Sequence, residues 1–87
     1  MANIAQIIGR LGKLVRFHRN KAGLTQIQLA DLAGVGKSTV YDIEKGKPTI
    51  QINSLFAVLA IMNIDVKFSG PLSAAFEKWS ADQSSEK

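Results

Sequence analysis

The sequence predicts an all-α protein, a bundle of four to five short helices that ends in one short strand. Three observations carry that prediction. Apolar residues recur at helical spacing in successive segments between Leu11 and Met62. Glycines stand at the ends of those segments, at Gly23, Gly34 and Gly46, where a helix closes by admitting a left-handed backbone. Only Ile64 to Ser69 alternates apolar and polar residues with period two, the pattern of a strand.

The first helix carries Leu11, Leu14, Val15, His18 and Ala22 on one side, and Gly23 stops it. The weaker stretch Ile4 to Ile8 extends it backwards. Gly9 and Gly12 each cost about 1 kcal/mol in a helix interior, which predicts fraying or a bend at its start. Thr25 opens the second helix. Its hydroxyl caps the amide three residues on while Gln28 reaches back, the Thr-x-x-Gln capping box. Leu29, Ala30 and Leu32 are expected to point inward, with Gly34 as the stop. Gly36 is the next N-cap, a tolerable one, and Val40 and Ile43 form the buried side of the third helix. Gly46 closes that helix and Pro48 prevents it from resuming.

A fourth helix follows around Ser54 to Met62. Leu55, Val58, Leu59 and Met62 lie on one side and Phe56 and Ala60 on another. A helix apolar on two faces needs two partners. The strand from Ile64 to Ser69 has nothing to pair with inside a helical domain, so it needs a copy of itself in a second chain. Together these observations predict a homodimer with Phe56, Ile64, Val66 and Phe68 at its interface. Gly70-Pro71 breaks the strand. Leu72, Ala75, Phe76 and Trp79 then fall at i, i+3, i+4 and i+7, a short amphipathic helix with Pro71 at its first position. Ser80 to Lys87 is polar and expected to be disordered. The organisation is therefore a domain at 1–63, a dimerising strand at 64–69 and a tail at 70–87.

A chain of 87 residues holds one small domain. Without cysteine it has no disulfide and no thiolate metal or catalytic site. The apolar run Leu55 to Met62 is far short of the roughly 20 residues that cross a bilayer. No secretory leader is evident, and the expected location is the cytoplasm, away from membranes. The net charge of +4 is concentrated. Between Arg10 and Lys47 eight basic residues stand against Asp31, Asp42 and Glu44, whereas the C-terminal stretch is slightly acidic. The basic half coincides with the second and third helices, as a polyanion-binding surface requires.

Those two helices, joined by a glycine turn, read as a helix-turn-helix whose second member enters a DNA major groove. Its exposed side offers Lys37, a donor for guanine O6 and N7, and Ser38 and Tyr41, which reach base edges, phosphates or a thymine methyl. Asp42 either accepts from cytosine N4 or repels a phosphate. Thr25, Gln26, Gly36 and Thr39, at the starts of the two helices, are candidate phosphate contacts, with Arg19, Lys45 and Lys47 as backbone-positioning cations. Each of these is alternatively a solvated surface residue. Leu72, Phe76 and Trp79 either fold back onto the chain's own domain or dimer, or anchor a different protein.

No enzymatic reading survives inspection. Gly36-Lys37-Ser38 echoes the end of a phosphate-binding loop, but Asp31 stands where that loop needs glycine and a helix precedes it instead of a strand. His18, the single histidine, has no neighbouring carboxylate at ligand spacing and reads as a core or boundary residue. The chain is a binder, with no metal and no cofactor expected.

The pattern Gly23-Leu24-Thr25-Gln26, Leu29-Ala30, Gly34-Val35, Thr39-Val40 and Ile43-Glu44-x-Gly46 resembles the Xre/Cro/CI family of helix-turn-helix domains over Leu11 to Met62. The run Gly46-Lys47-Pro48-Thr49-Ile50, Leu55, Val58, Leu59 and Ile64-Asp65-Val66 is more narrowly similar to HipB-type antitoxins. The resemblance implies a lambda-repressor-like bundle whose C-terminal strand pairs across a homodimer. It also implies an autoregulating repressor of an inverted-repeat operator, bound by a HipA-type Ser/Thr kinase toxin. Gln26 would then hold the phosphate and bracing position, and Lys37, Ser38 and Tyr41 the base-reading ones. Gly36 stands where the family often has serine, Asp42 where it often has a base or an amide, and Trp79 is internal where such tails end. Two other functions stay open: a module that neutralises a toxin by contact alone, and a phage-type repressor without a toxin.

Overall fold

The computed structural model describes residues 3–84. Among them five helices follow one another: α1 (Ile4–Lys21), α2 (Gln26–Ala33), α3 (Lys37–Lys45), α4 (Ile52–Ile61) and α5 (Ser73–Ser84). Helices α1 to α4 enclose one core of Val15, Leu29, Ala30, Val40, Ile43, Val58 and Leu59. Leu11, Leu55, Met62 and Ile64 pack around it, half-buried.

Where a bend was expected, α1 runs unbroken for 18 residues. Its start is held by a capping box: Asn3 Oδ1 accepts from the Gln6 amide at 2.8 Å, and Gln6 Oε1 accepts from the Asn3 amide at 3.1 Å. Its glycines serve a close crossing instead. Gly12 is buried against the end of α3, where a Cβ would collide with the Ile43 carbonyl oxygen and stand 2.9 Å from that of Glu44. A Cβ on Gly46 would come within 3.2 Å of the Gly9 Cα. Backbone-to-backbone packing of α1 on α3 therefore compensates for the poor helix propensity of these residues.

Two expected core residues lie outside. Leu14 is 40% exposed and Leu32 58% exposed. Helical residues turn by about 100° each. The buried side of α1 is set by Gly12 and Val15, and that of α2 by Leu29 and Ala30, so Leu14 and Leu32 fall beyond the edge of each. The Thr25–Gln28 capping box forms as expected, with Thr25 Oγ1 accepting from the Gln28 amide at 3.1 Å. Gly34 and Gly46 both take left-handed backbones at their helix ends.

On α4, Val58 and Leu59 are buried while Phe56, on the second apolar face, stays 41% exposed. The helix closes on Asn63 in the left-handed region, with the Ile64 amide donating to the Leu59 carbonyl at 2.9 Å. That turn seats Ile64 on the chain's own core. The expected strand at 64–69 is not formed; among the described residues there is no strand. A ladder requires a second extended segment, and the described residues supply none to pair with. The tail helix is longer than its apolar stripe indicated. It continues through Ser84, so the disorder expected from Ser80 onward does not hold to that point, and the rest of that expectation, 85–87, lies outside the described residues. No helix among the described residues is long and apolar enough to cross a membrane.

Candidate nucleic-acid interface

The turn between α2 and α3 fixes the interface. The left-handed Gly34 lets the Val35 amide return to the Ala30 carbonyl at 3.0 Å, and Gly36 then starts α3 in extended geometry. No side chain caps α3, so its first turn faces outward with free amides beside Lys37 and Ser38. Val40 and Ile43 anchor the inner side of α3, which turns Lys37, Ser38 and Tyr41 to solvent. Gln26, the first residue of α2, joins Lys37, Ser38, Tyr41 and Asp42 around one shallow depression. The four residues expected to read bases are thus brought together, with Gln26 beside them. Thr39 is half-buried behind this face.

The cations around it have distinct settings. Lys45 Nζ lies 5.5 Å from the centre of the Tyr41 ring, a cation–π contact that steadies the ring on the exposed face. Lys47 Nζ stands 3.4 Å from Asp42 Oδ2. That pair is solvent-exposed and worth at most about 1 kcal/mol, so either member is readily released to another partner. Thr25, expected at a phosphate, uses its hydroxyl lone pair on the Gln28 amide and retains its own proton for donation.

Arg19 departs most from its expected place. Its guanidinium faces Glu44 across α1 and α3, Nε to Oε2 at 2.6 Å and Nη2 to Oε1 at 2.9 Å, while Nη1 donates to the Leu24 carbonyl at 2.9 Å. The side chains are only 11% and 5% exposed. A guanidinium so engaged joins α1 to α3 and to the turn before α2, and is not presented outward as a phosphate contact is.

Glu44 also accepts from Gln26 Nε2 at 3.2 Å. Burial pushes its carboxyl up, but the hydrogen bonds from Arg19 and Gln26 together with the positive charges of Arg19 and Arg16 outweigh that and hold it below its ordinary value. Sequence reasoning assigned Glu44 no role. The signal was present, a carboxylate next to buried Ile43, but its partner lies 25 residues earlier on another helix.

The remaining expected residues form a separate apolar surface. Val66 is 45% exposed and Phe68 85%, and with Leu72 and Phe76 they line a groove between the irregular segment and α5. Phe76 and Trp79 stack obliquely, ring centres 6.1 Å apart. Ile64 is spent on the chain's own core, unlike the other residues expected at a dimer interface.

Comparison with known proteins agrees with this geometry. A family profile described as helix-turn-helix matches residues 15–68. The chain is 39% identical over 61 residues to an uncharacterised HTH-type transcriptional regulator, y4mF, of Sinorhizobium fredii, an alignment covering 70% of this chain and 80% of that protein.

Proposed function

Since this chain belongs to the Xre/Cro/CI-type helix-turn-helix family and is a DNA-binding transcriptional regulator, we propose that it acts as a homodimeric repressor of its own operon. The observation that carries this reading is the depression at the start of α3, where Lys37, Ser38 and Tyr41 stand exposed beside Gln26. Lys37 donates to guanine, the two hydroxyls read adjacent edges, and the amides opening α2 and α3 meet phosphates. Lys45 and Lys47 supply charge to the same backbone.

Dimerisation follows from what one chain leaves unsatisfied. Residues 64–69 carry an extended-strand pattern whose backbone is unpaired from Asp65 to Ser69, and Phe56, Val66 and Phe68 are exposed. Pairing with the same segment of a second copy satisfies both. Two recognition helices about 34 Å apart then require an inverted-repeat operator with half-sites one helical turn apart.

The tail supports an antitoxin role, with a HipA-type Ser/Thr kinase toxin as the partner. Leu72, just before α5, is 74% exposed, and Phe76 and Trp79 on α5 are 55% and 58% exposed, on a helix without extensive packing against the other four. The same tail supports a second reading, neutralisation of a toxin by contact alone. A reporter driven by the DNA preceding this protein's own gene tests the first. Repression by the wild type that Lys37→Ala relieves supports it, and unchanged transcription in the presence of the protein contradicts it.

A further inference from the structure

Two helical faces of this chain lie uncovered, and they fit each other. On α1, Ile4, Ile7, Leu11 and Leu14 recur at intervals of three, four and three. Ile4, Ile7 and Leu14 are exposed, Leu11 is half-buried, and Phe17 stands exposed beside them. Apolar residues at that repeat form a narrow seam that receives one other helix. Ile7, Leu11, Leu14 and Phe17, with Arg10 and Lys13, line a groove along it. At the other end of the chain Leu72, Phe76 and Trp79 form a second exposed seam, at intervals of four and three.

Charge selects how these seams combine. Helix α1 carries Arg10, Lys13, Arg16, Arg19 and Lys21 and no acidic residue, so a second α1 is repelled. Helix α5 carries Glu77 and Asp82 against Lys78. Laid antiparallel, with Leu14 opposite Phe76 and Leu11 opposite Trp79, the seams bring Arg10 level with Asp82 on one flank. The large Phe17 ring then faces the small Ala75. Lys13 and Lys78 fall on the same flank, one position further out, where water and salt screen them. Laid parallel, α5 offers Arg10 only Ser73 and Ser80 at its flanking positions. The antiparallel arrangement alone pairs the charges.

Within one chain α5 does not pack extensively on α1. The α5 that fills the seam therefore belongs to a second copy, and the segment 64–69 leads directly into it. We propose that in the homodimer α5 of each copy docks antiparallel on the outer face of α1 of the other, an exchange of tails. The inference rests on the homodimer proposed above. None of the docking residues lines the depression at the start of α3, so the exchange leaves that face open. A toxin that takes Trp79 must first lift α5 from the seam, which makes toxin binding and tail exchange compete.

The chain has no cysteine, so disulfide trapping is clean. Leu14→Cys/Phe76→Cys, at two exposed positions outside the core, should give a covalent dimer on a non-reducing gel. Neither single variant should. Phe17→Cys/Ala75→Cys should behave as the first pair does, whereas Ile4→Cys/Ala75→Cys, out of register, should not trap. Adding Arg10→Glu to the first pair should slow trapping several-fold, and Asp82→Arg in the same chain should restore it. An internal disulfide in a monomer would overturn the exchange in favour of a tail folded on its own domain. Absence of any disulfide from both in-register pairs, in a protein that sediments as a dimer, would overturn the docking itself. A wild type that sediments as a monomer would instead overturn the homodimer on which the inference rests.

Discussion

Arg19 and Glu44, 25 residues apart in the chain, meet in a two-point ion pair that ties α1 to α3. With Nη1 on the Leu24 carbonyl, the same guanidinium also ties in the turn that opens α2. One side chain thus sets three elements that together place α3 at the surface. Removing either partner leaves a nearly buried charge alone, which costs about 3–5 kcal/mol. Arg19→Met and Glu44→Ala should each lower stability by about that much in urea unfolding. The double variant Arg19→Met/Glu44→Met should lose clearly less than the two single losses combined, because neither charge is then stranded.

The same pair makes stability depend on acid. The folded Glu44 carboxyl sits below its ordinary value, so its contribution is fully present above the unfolded value of about 4.3 and fades as pH falls through the lower folded value. Unfolding free energy of the wild type should therefore decline below about pH 4.3. Arg19→Met should show a shallower decline over the same window. Equal slopes in the two proteins would mean that Glu44 is not held by Arg19.

Gly9 and Gly12 lie one helical turn apart in α1 and predict opposite outcomes. A Cβ at Gly9 meets nothing within 4 Å, so Gly9→Ala should gain close to 1 kcal/mol from helix propensity. At Gly12 the Cβ strikes the backbone of Ile43 and Glu44, which cannot rotate away. Gly12→Ala should lose roughly 2 kcal/mol despite the same propensity gain. Thermal melting of the two variants distinguishes them.

Lys37→Ala should cost roughly 1–3 kcal/mol of binding and relax choice at one base pair. Lys45→Ala should instead weaken binding to all sequences alike and flatten the salt dependence by about one unit. Fluorescence anisotropy on matched and single-mismatch duplexes separates the two behaviours.

Phe68→Glu should convert a dimer to a monomer in sedimentation experiments without lowering the α-helical signal, since Phe68 is 85% exposed and outside the core. Deleting 71–87 should spare operator binding and abolish any stable protein partner.

Much of the helical framework was legible in the chain. Thr25, Gln28, Gly34 and Gly46 act on their own neighbours, and local signals of that kind are readable from spacing alone. What escaped depended on distant residues. Gly12 looks like a weak point until the backbone of α3 is set against it, and Arg19 looks like a free cation until Glu44 arrives from another helix. Leu14 and Leu32 fit an apolar spacing that holds on paper, but a short helix buries a narrow arc and leaves them beyond it. The residues of the candidate interface were named from helix geometry, and Gln26 was expected to brace the neighbouring helix, but its partner Glu44 was not legible because neither side chain announces the other. The segment 64–69 kept its strand pattern without a strand, since pairing is a property of two segments and not of one.

The central claim is that α3 reads DNA sequence from a dimer. Selection from a random duplex pool by the purified protein, at two salt concentrations, tests it most directly. The recovered pool should contain one inverted repeat with half-sites centred about 34 Å apart, bound with an affinity that falls steeply as salt rises. Recovery of no consensus, with binding that depends on salt alone, would contradict it and reduce the basic face to non-specific attraction for a polyanion.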